Sequence, residues 1–418
     1  MQFNKALRYN ILWKVVNTIL TFFINVFLVR LLGAGQSGAF YYTVTILSLM
    51  VLLQGFSLES GVIYYGSKSP PELRRISGIL MVWLLVQTII AAVILSFLKT
   101  GLPIYMGLLF IAGNMAITYL TALFSAQKKF LQPNLVFATV NTALLLLLMV
   151  AYYSKTGNRL FNPALLYVVS FILQAVLLAF IFLFITTNKD EASQTDNAAV
   201  KKLFSFSTAA FAGNIIFFLA TRVDYYFVSK YCTPEALGNY IQVSKLGQLL
   251  VLLPSVVAAV IFPYTASEKE QGFLDHTQFF CRIITWVFIP LILVISATGF
   301  WLFPLLYGDS FEMMYPATLF YLPGFFALSI VTVLAGYTGG KGMLGTNIIA
   351  SFITLVVVVI VDILLIPICG INGAAIASSF AYFICLIFLL LRLKSKEYFF
   401  TTDFFGLKLS DLKRLLSL

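Results

Sequence analysis

The chain has 418 residues, of which 61% are hydrophobic and only 10% charged, and its mean hydropathy is +0.97. No soluble fold encloses that proportion of apolar surface, so the composition excludes a water-soluble enzyme or binding module and identifies a polytopic membrane protein. A formal net charge of +11 would suggest nucleic acid in a soluble chain; here the basic residues fall between apolar stretches, where they set orientation, and no nucleic-acid partner is expected.

About 20 apolar residues at 1.5 Å rise cross the roughly 30 Å of a bilayer's hydrocarbon. A window of about that length predicts twelve spans. Six lie in the first half, at 10–31, 39–65, 76–98, 102–126, 133–153 and 163–186. Six follow at 203–229, 237–263, 281–303, 314–339, 343–366 and 370–392. Unpaired backbone cannot face lipid, and the spans lack the polar alternation of a transmembrane barrel, so an all-α reading follows. The first span has no small-residue cleavage site after it and reads as a retained helix.

With both termini on the cytoplasmic side, most of the 27 basic residues, from Lys5 and Arg8 to Lys413 and Arg414, fall inside. Arg30, Lys99, Lys155, Arg159, Arg222, Lys230 and Lys245 remain outside, and this asymmetry fixes the orientation. The polar stretch Thr186 to Lys202 divides the spans six and six. The expected domains are therefore an N-terminal lobe (1–186), a cytoplasmic linker (187–202), a C-terminal lobe (203–392) and a cytoplasmic tail (393–418). A shift of 200 residues lays Leu28 to Tyr42 on Val228 to Gln242, with Arg30 on Lys230, Gly38 on Gly238 and Phe40 on Tyr240. Six spans per half bring both halves in from the same side, as parallel repeats. In the tail, Leu409, Leu412, Leu415 and Leu416 recur at helical spacing against Lys408, Lys413 and Arg414, which fits an interfacial amphipathic helix or a frayed end.

Two glycine-rich motifs fail as nucleotide sites. Gly33, Gly35 and Gly38 spell GxGxxG, yet an apolar helix precedes them instead of a strand, so they predict a tight outer turn. Gly339 to Gly342 lacks the first glycine and the final Ser or Thr of a P-loop and reads as a helix-joining turn. Cys232, Cys281, Cys369 and Cys385 have no metal spacing, and His276 stands alone in a polar loop, so neither metal nor cofactor is expected. Cys232 and Cys369 both fall in outer loops, where a disulfide is conceivable.

Charges inside spans are costly and mark functional sites. Lys14 and Glu59 lie at matching depths, either paired or with Lys14 reaching back to the headgroups. Toward the outer side, Arg30, Arg222, Asp224, Lys230, Lys245 and Asp362 come from four spans at similar depth. Arg222 and Asp224 are two apart and point to different helix faces, so each needs another partner, with Asp362 or Lys245 as candidates. The cluster reads either as a structural latch or as a cationic cavity for a phosphate-bearing substrate, since Arg and Lys suit phosphate oxygens. Lys14, Arg30, Arg222 and Lys245 are the substrate-binding candidates; Glu59, Asp224 and Asp362 are candidates for ion coupling or a gate.

The segments RLLGAGQSGAFYY, LATRVDYY, ALGNYIQVSKL, IFPYTAS, LLYGDSF and IPICGINGAAIASS, in this order, resemble the polysaccharide-transporter, or Wzx-like, flippases. These belong to the superfamily of multidrug, oligosaccharidyl-lipid and polysaccharide exporters. The resemblance implies two six-helix lobes around a central cavity in the bacterial inner membrane. It also implies a lipid-linked oligosaccharide on undecaprenyl pyrophosphate, moved outward for O-antigen or lipopolysaccharide synthesis without enzymatic chemistry. Arg222 and Asp224 match the family's R-x-D at the end of the seventh span. The implied partners are that substrate, membrane lipids, a glycan polymerase and a chain-length regulator. Twelve spans instead of fourteen disfavour the lipid II flippase branch. The rival readings are a multidrug or cation antiporter and, less favoured given short outer loops, a membrane glycan polymerase or ligase.

Overall fold

A computed structural model describes residues 2–66, 73–98, 101–154, 162–186, 197–266, 273–395, 404–406 and 411. Every regular element among them is helical. The chain divides into two compact units, Met1–Ile215 and Ile216–Leu418.

In the first unit, α1 (Gln2–Gly55) carries two predicted spans in one run, turning at Gly33. There φ is 72° and ψ 171°, a backbone state that only glycine adopts freely. Gly35 and Gly38 are ordinary helical residues, so one glycine makes the outer turn expected of all three. The second span then breaks at Phe56 and Ser57, both with left-handed φ (49° and 48°), before resuming as α2 (Leu58–Gly66). The break frees the Gln54 carbonyl, which accepts a hydrogen bond from Gln87 Nε2 at 2.5 Å; Gln87 also pairs with Tyr119. The helices α3 (Leu73–Phe97), α4 (Ile104–Ala126), α5 (Leu131–Tyr153) and α6 (Pro163–Thr186) follow the predicted spans closely. Leu58, Val62, Leu80, Leu123, Phe124, Val140 and Phe182 close a core among α2 to α6.

Beyond it, α7 (Asn197–Ala220) begins within the stretch expected to be linker. The seventh span breaks at Thr221 and Arg222 and continues as α8 (Val223–Tyr231). The eighth is also broken: α9 (Pro234–Leu250) meets α10 (Leu252–Ala266) at a 42° bend. Pro254 explains it, because a proline lacks its N–H and its ring crowds the carbonyl four residues back, at Leu250. Thr233 caps α9, its hydroxyl accepting from the Ala236 N–H at 3.2 Å, with Pro234 in the first helical position.

The ninth span is α11 (Phe273–Tyr307), which starts well before residue 281, so His276 stands exposed in its first turns and not in a loop. After a short 3-10 turn (Asp309–Phe311) comes α12 (Met314–Gly340), closed by the Gly339 to Gly342 turn with Gly342 at φ 73°. The last two spans form α13 (Leu344–Lys394), interrupted only by Gly370 at φ 58°. Among the described residues eight helices are individually long and apolar enough to cross a membrane. Two of them, α1 and α13, each cover two of the predicted spans, the bent pair α9–α10 adds one more, and the seventh predicted span falls on α7 and α8.

In the tail, Leu409 and its helical partners lie outside the described residues. Asp411, however, is buried against Arg282 of α11. All four cysteines are free thiols.

Candidate functional site

The second unit gathers four of the seven predicted site residues around the start of α8. The helix break leaves Arg222 with φ −141° and ψ −13°, outside helical geometry, and frees the Thr221 carbonyl. Arg222 Nη1 turns back onto that carbonyl at 2.9 Å and reaches Ser244 Oγ of α9 at 3.2 Å and the Tyr225 hydroxyl at 3.3 Å. Its guanidinium carbon sits 5.3 Å from the centre of the Tyr225 ring, a cation–π distance. Lys245, the residue after Ser244, lies within electrostatic reach of Arg222.

Asp224 occupies the first turn of α8, where a carboxylate complements the helix dipole. It is 2% exposed; one oxygen accepts from the Tyr225 N–H at 2.9 Å and the other from the Tyr240 hydroxyl at 2.6 Å, a length typical of a charge-assisted bond. Tyr240 also lies 3.4 Å from Ser378 Oγ of α13. Around it, Tyr225, Tyr321 and Tyr382 complete an aromatic enclosure: Tyr240 and Tyr321 stack at 6.1 Å, and the Tyr321 and Tyr382 hydroxyls approach to 3.5 Å.

Asp362 of α13 is fully buried, and among the described residues neither of its carboxyl oxygens has a hydrogen-bond partner. It lies within electrostatic reach of Asp224 and Tyr240. Burying a carboxyl without partners costs several times what a satisfied one does, so its position is unexplained by packing alone. The expected pairing of Arg222 or Asp224 with Asp362 or Lys245 takes a different form. Arg222 is held by a carbonyl and two hydroxyls, Asp224 by a tyrosine and a backbone N–H, and no ion pair joins Asp362 to either cation. Spacing placed Arg222 and Asp224 on two faces of one helix; the helix instead breaks at Arg222, so their different partners follow from the break, and the hydroxyls that meet them carried no such signal. Lys230 is exposed, its ammonium 5.2 Å from the Tyr231 ring centre, and stays apart from this cluster.

The other three predicted residues belong to the first unit. Arg30 donates to the Tyr152 hydroxyl at 3.1 Å, with its guanidinium carbon 5.4 Å from that ring's centre. Lys14 is exposed and makes no ion pair with half-buried Glu59, which lies instead within electrostatic reach of the Tyr119 hydroxyl. Matching depth did not fix the direction each helix face points. Tyr240, Tyr321, Tyr382 and Ser378 were missed as site residues; Tyr240 alone carried a signal, as the repeat counterpart of Phe40.

The arrangement offers two chemically distinct features: two basic side chains within electrostatic reach, Arg222 at the break before α8 and Lys245 of α9, and two buried carboxyls sharing one neighbourhood. Among the described residues, no group of three His, Cys, Asp or Glu side chains could hold a metal.

The fold is similar to that of a lipid II flippase MurJ in an inward closed conformation, with TM-score 0.70, 18% identity and coverage of 97% of this chain and 92% of that one. It is also similar to an inward-facing multidrug resistance transporter of the MATE family, with TM-score 0.69, 12% identity and coverage of 91% and 95%. In sequence, the chain is 24% identical over 402 positions to an uncharacterized membrane protein of Methanocaldococcus jannaschii, covering 87% of this chain and 79% of that protein. The model of the polysaccharide biosynthesis protein family matches residues 27–316. This multi-pass membrane chain, which carries the fold of the MurJ and MATE transporters, therefore belongs to the polysaccharide biosynthesis protein family.

Proposed function

We propose that the protein is a flippase that moves an undecaprenyl-pyrophosphate-linked oligosaccharide from the inner to the outer leaflet of the bacterial cytoplasmic membrane by alternating access. The observation that carries this reading is a half-buried arginine at a helix break, Arg222, held by a carbonyl and two hydroxyls, with the basic Lys245 within its electrostatic reach in the same unit. Two basic groups near each other in a low-dielectric setting disfavour each other's charge, and a bound pyrophosphate offsets that while accepting hydrogen bonds from both. Arg222 suits the role because its present partners are neutral oxygens, which a phosphate can displace without leaving a carboxylate unpaired. Family membership supports the substrate class. In this reading Lys14 and Arg30 contribute further positive charge along the path, and Asp224, Asp362 and Glu59 carry the coupling ion, a proton or Na⁺. A glycan polymerase and a chain-length regulator act next on the delivered substrate.

Replacing Arg222 or Lys245 with Ala abolishes surface-glycan export in cells while leaving the amount of protein in the membrane unchanged. Wild-type export in both variants removes them from the mechanism. The cation antiporter is the second reading, favoured by the two buried carboxyls at Asp224 and Asp362. Under it, expression in a drug-sensitive host raises resistance to cationic compounds, and Asp362→Asn removes that resistance.

A further inference from the structure

The C-terminal segment returns to the second unit and is bound there by groups that a frayed end does not make. Arg282 donates from Nε to one Asp411 oxygen at 2.6 Å and from Nη2 to the other at 2.8 Å, a two-pronged ion pair 129 residues apart in sequence. Its partners are 5% and 2% exposed. Phe404 is fully buried, and the Phe405 ring lies 6.5 Å from Phe326 of α12. Phe326 in turn lies 6.0 Å from Phe288 of α11. A row of three rings, Phe288, Phe326 and Phe405, thus ties α11 and α12 to the tail, and the ion pair ties the tail to α11 a second time.

The place on α11 matters. This helix has 35 residues, about 52 Å at 1.5 Å per residue, far more than a bilayer's hydrocarbon needs. Pro290 stands inside it and cannot donate to the Trp286 carbonyl, so the helix lacks one backbone bond there and bends most readily at that point. Residues 273–289 form an arm on one side of that point; Arg282, which the tail grips directly, and Phe288, which meets the tail only through Phe326 of α12, both lie on the arm. A buried ion pair contributes little net stability compared with apolar packing, but loss of either member removes a two-pronged, charge-assisted contact from the other. Such a contact is therefore specific in where it holds and sensitive to a single change.

We propose that the C-terminal segment is a releasable clasp that holds the Pro290-hinged arm of α11 against α12, and that its release frees this arm to move. This is independent of which substrate the protein carries. The test uses the purified full-length chain and trypsin, for which Lys408, Lys413 and Arg414 flank Asp411. The initial rate of tail cleavage, read together with deuterium exchange over residues 273–288, reports the clasp and the arm separately. Asp411→Asn and Arg282→Gln each speed tail cleavage about tenfold or more, because cleavage follows the population of the undocked tail. Both also raise exchange over 273–288. In the double variant R282Q/D411N the two changes are less than additive, because both remove the same contact. A chain ending at Ser395, which has no tail to misplace, shows the same raised exchange as the single variants. Cleavage at the wild-type rate in both single variants overturns the clasp. Wild-type exchange over 273–288 in the shortened chain overturns its hold on the arm.

Discussion

Asp362 gives the most direct check on the proposed site, because its effects on stability and on transport are expected to have opposite signs. Its carboxyl is fully buried with both oxygens unpartnered, and Asp224 adds a second carboxyl to the same neighbourhood. Asp362→Asn keeps the shape and removes the charge. Where the pH is high enough to ionise this carboxyl, an unpaired buried charge costs more than an unpaired neutral amide, and the relief amounts to roughly 1–3 kcal/mol. For a unit of about 200 residues this raises the apparent Tm by roughly 2–10 °C when measured in detergent without coupling ion. The wild type gains from an ion that the variant cannot hold: at 100 times the dissociation constant, binding adds about 2.7 kcal/mol. Melting both proteins across a Na⁺ series, with choline holding ionic strength constant, and across pH identifies which ion does this. At the alkaline end of the pH series the variant then melts higher than the wild type without ion; at every pH it shows no ion-dependent rise, and it exports no glycan. A variant that melts lower in every buffer and exports normally makes Asp362 an ordinary core residue and refutes the reasoning.

Two other substitutions test how the site and its surroundings are held. Tyr240→Phe removes the donor to Asp224 Oδ2 at 2.6 Å, leaving one oxygen of a 2%-exposed carboxylate unpaired. The expected loss is about 1.5–3 kcal/mol, read as a lower apparent Tm with reduced export, and an unchanged Tm would mean that Asp224 is not ionised there. Gly33→Ala meets no neighbour within 4 Å, so its cost comes only from the backbone at φ 72° and ψ 171°. It amounts to about 1–3 kcal/mol, seen as a lower Tm, whereas Gly35→Ala, in a helical position, has little effect.

The apolar spans were legible because bilayer thickness imposes a length that no packing detail changes, and a residue count alone reads it. The interruptions within them were not. Phe56 and Ser57 show no proline or asparagine-glycine signal, and Thr221 and Arg222 look like any helical pair; each break is held by groups brought from elsewhere, Gln87 in the first case and Ser244 in the second. Pro254 did mark the third break, but it was read only as part of a continuous span. Charge within a span singled out Arg222, Asp224, Lys245 and Asp362, since that cost can be seen without a fold. The side chains that meet Arg222 and Asp224 are tyrosines and a serine 3 to 22 residues away, residue types that an apolar helix carries everywhere and that spacing cannot sort into enclosing and lipid-facing sets. Arg282 shows the same limit from the other side. It was counted only as an inner-face charge, and nothing local to it says that a carboxylate from the far end of the chain neutralises it. In this protein the sequence positions its charges by depth, whereas their pairing is decided by helix rotation and by chain ends, which depth does not contain.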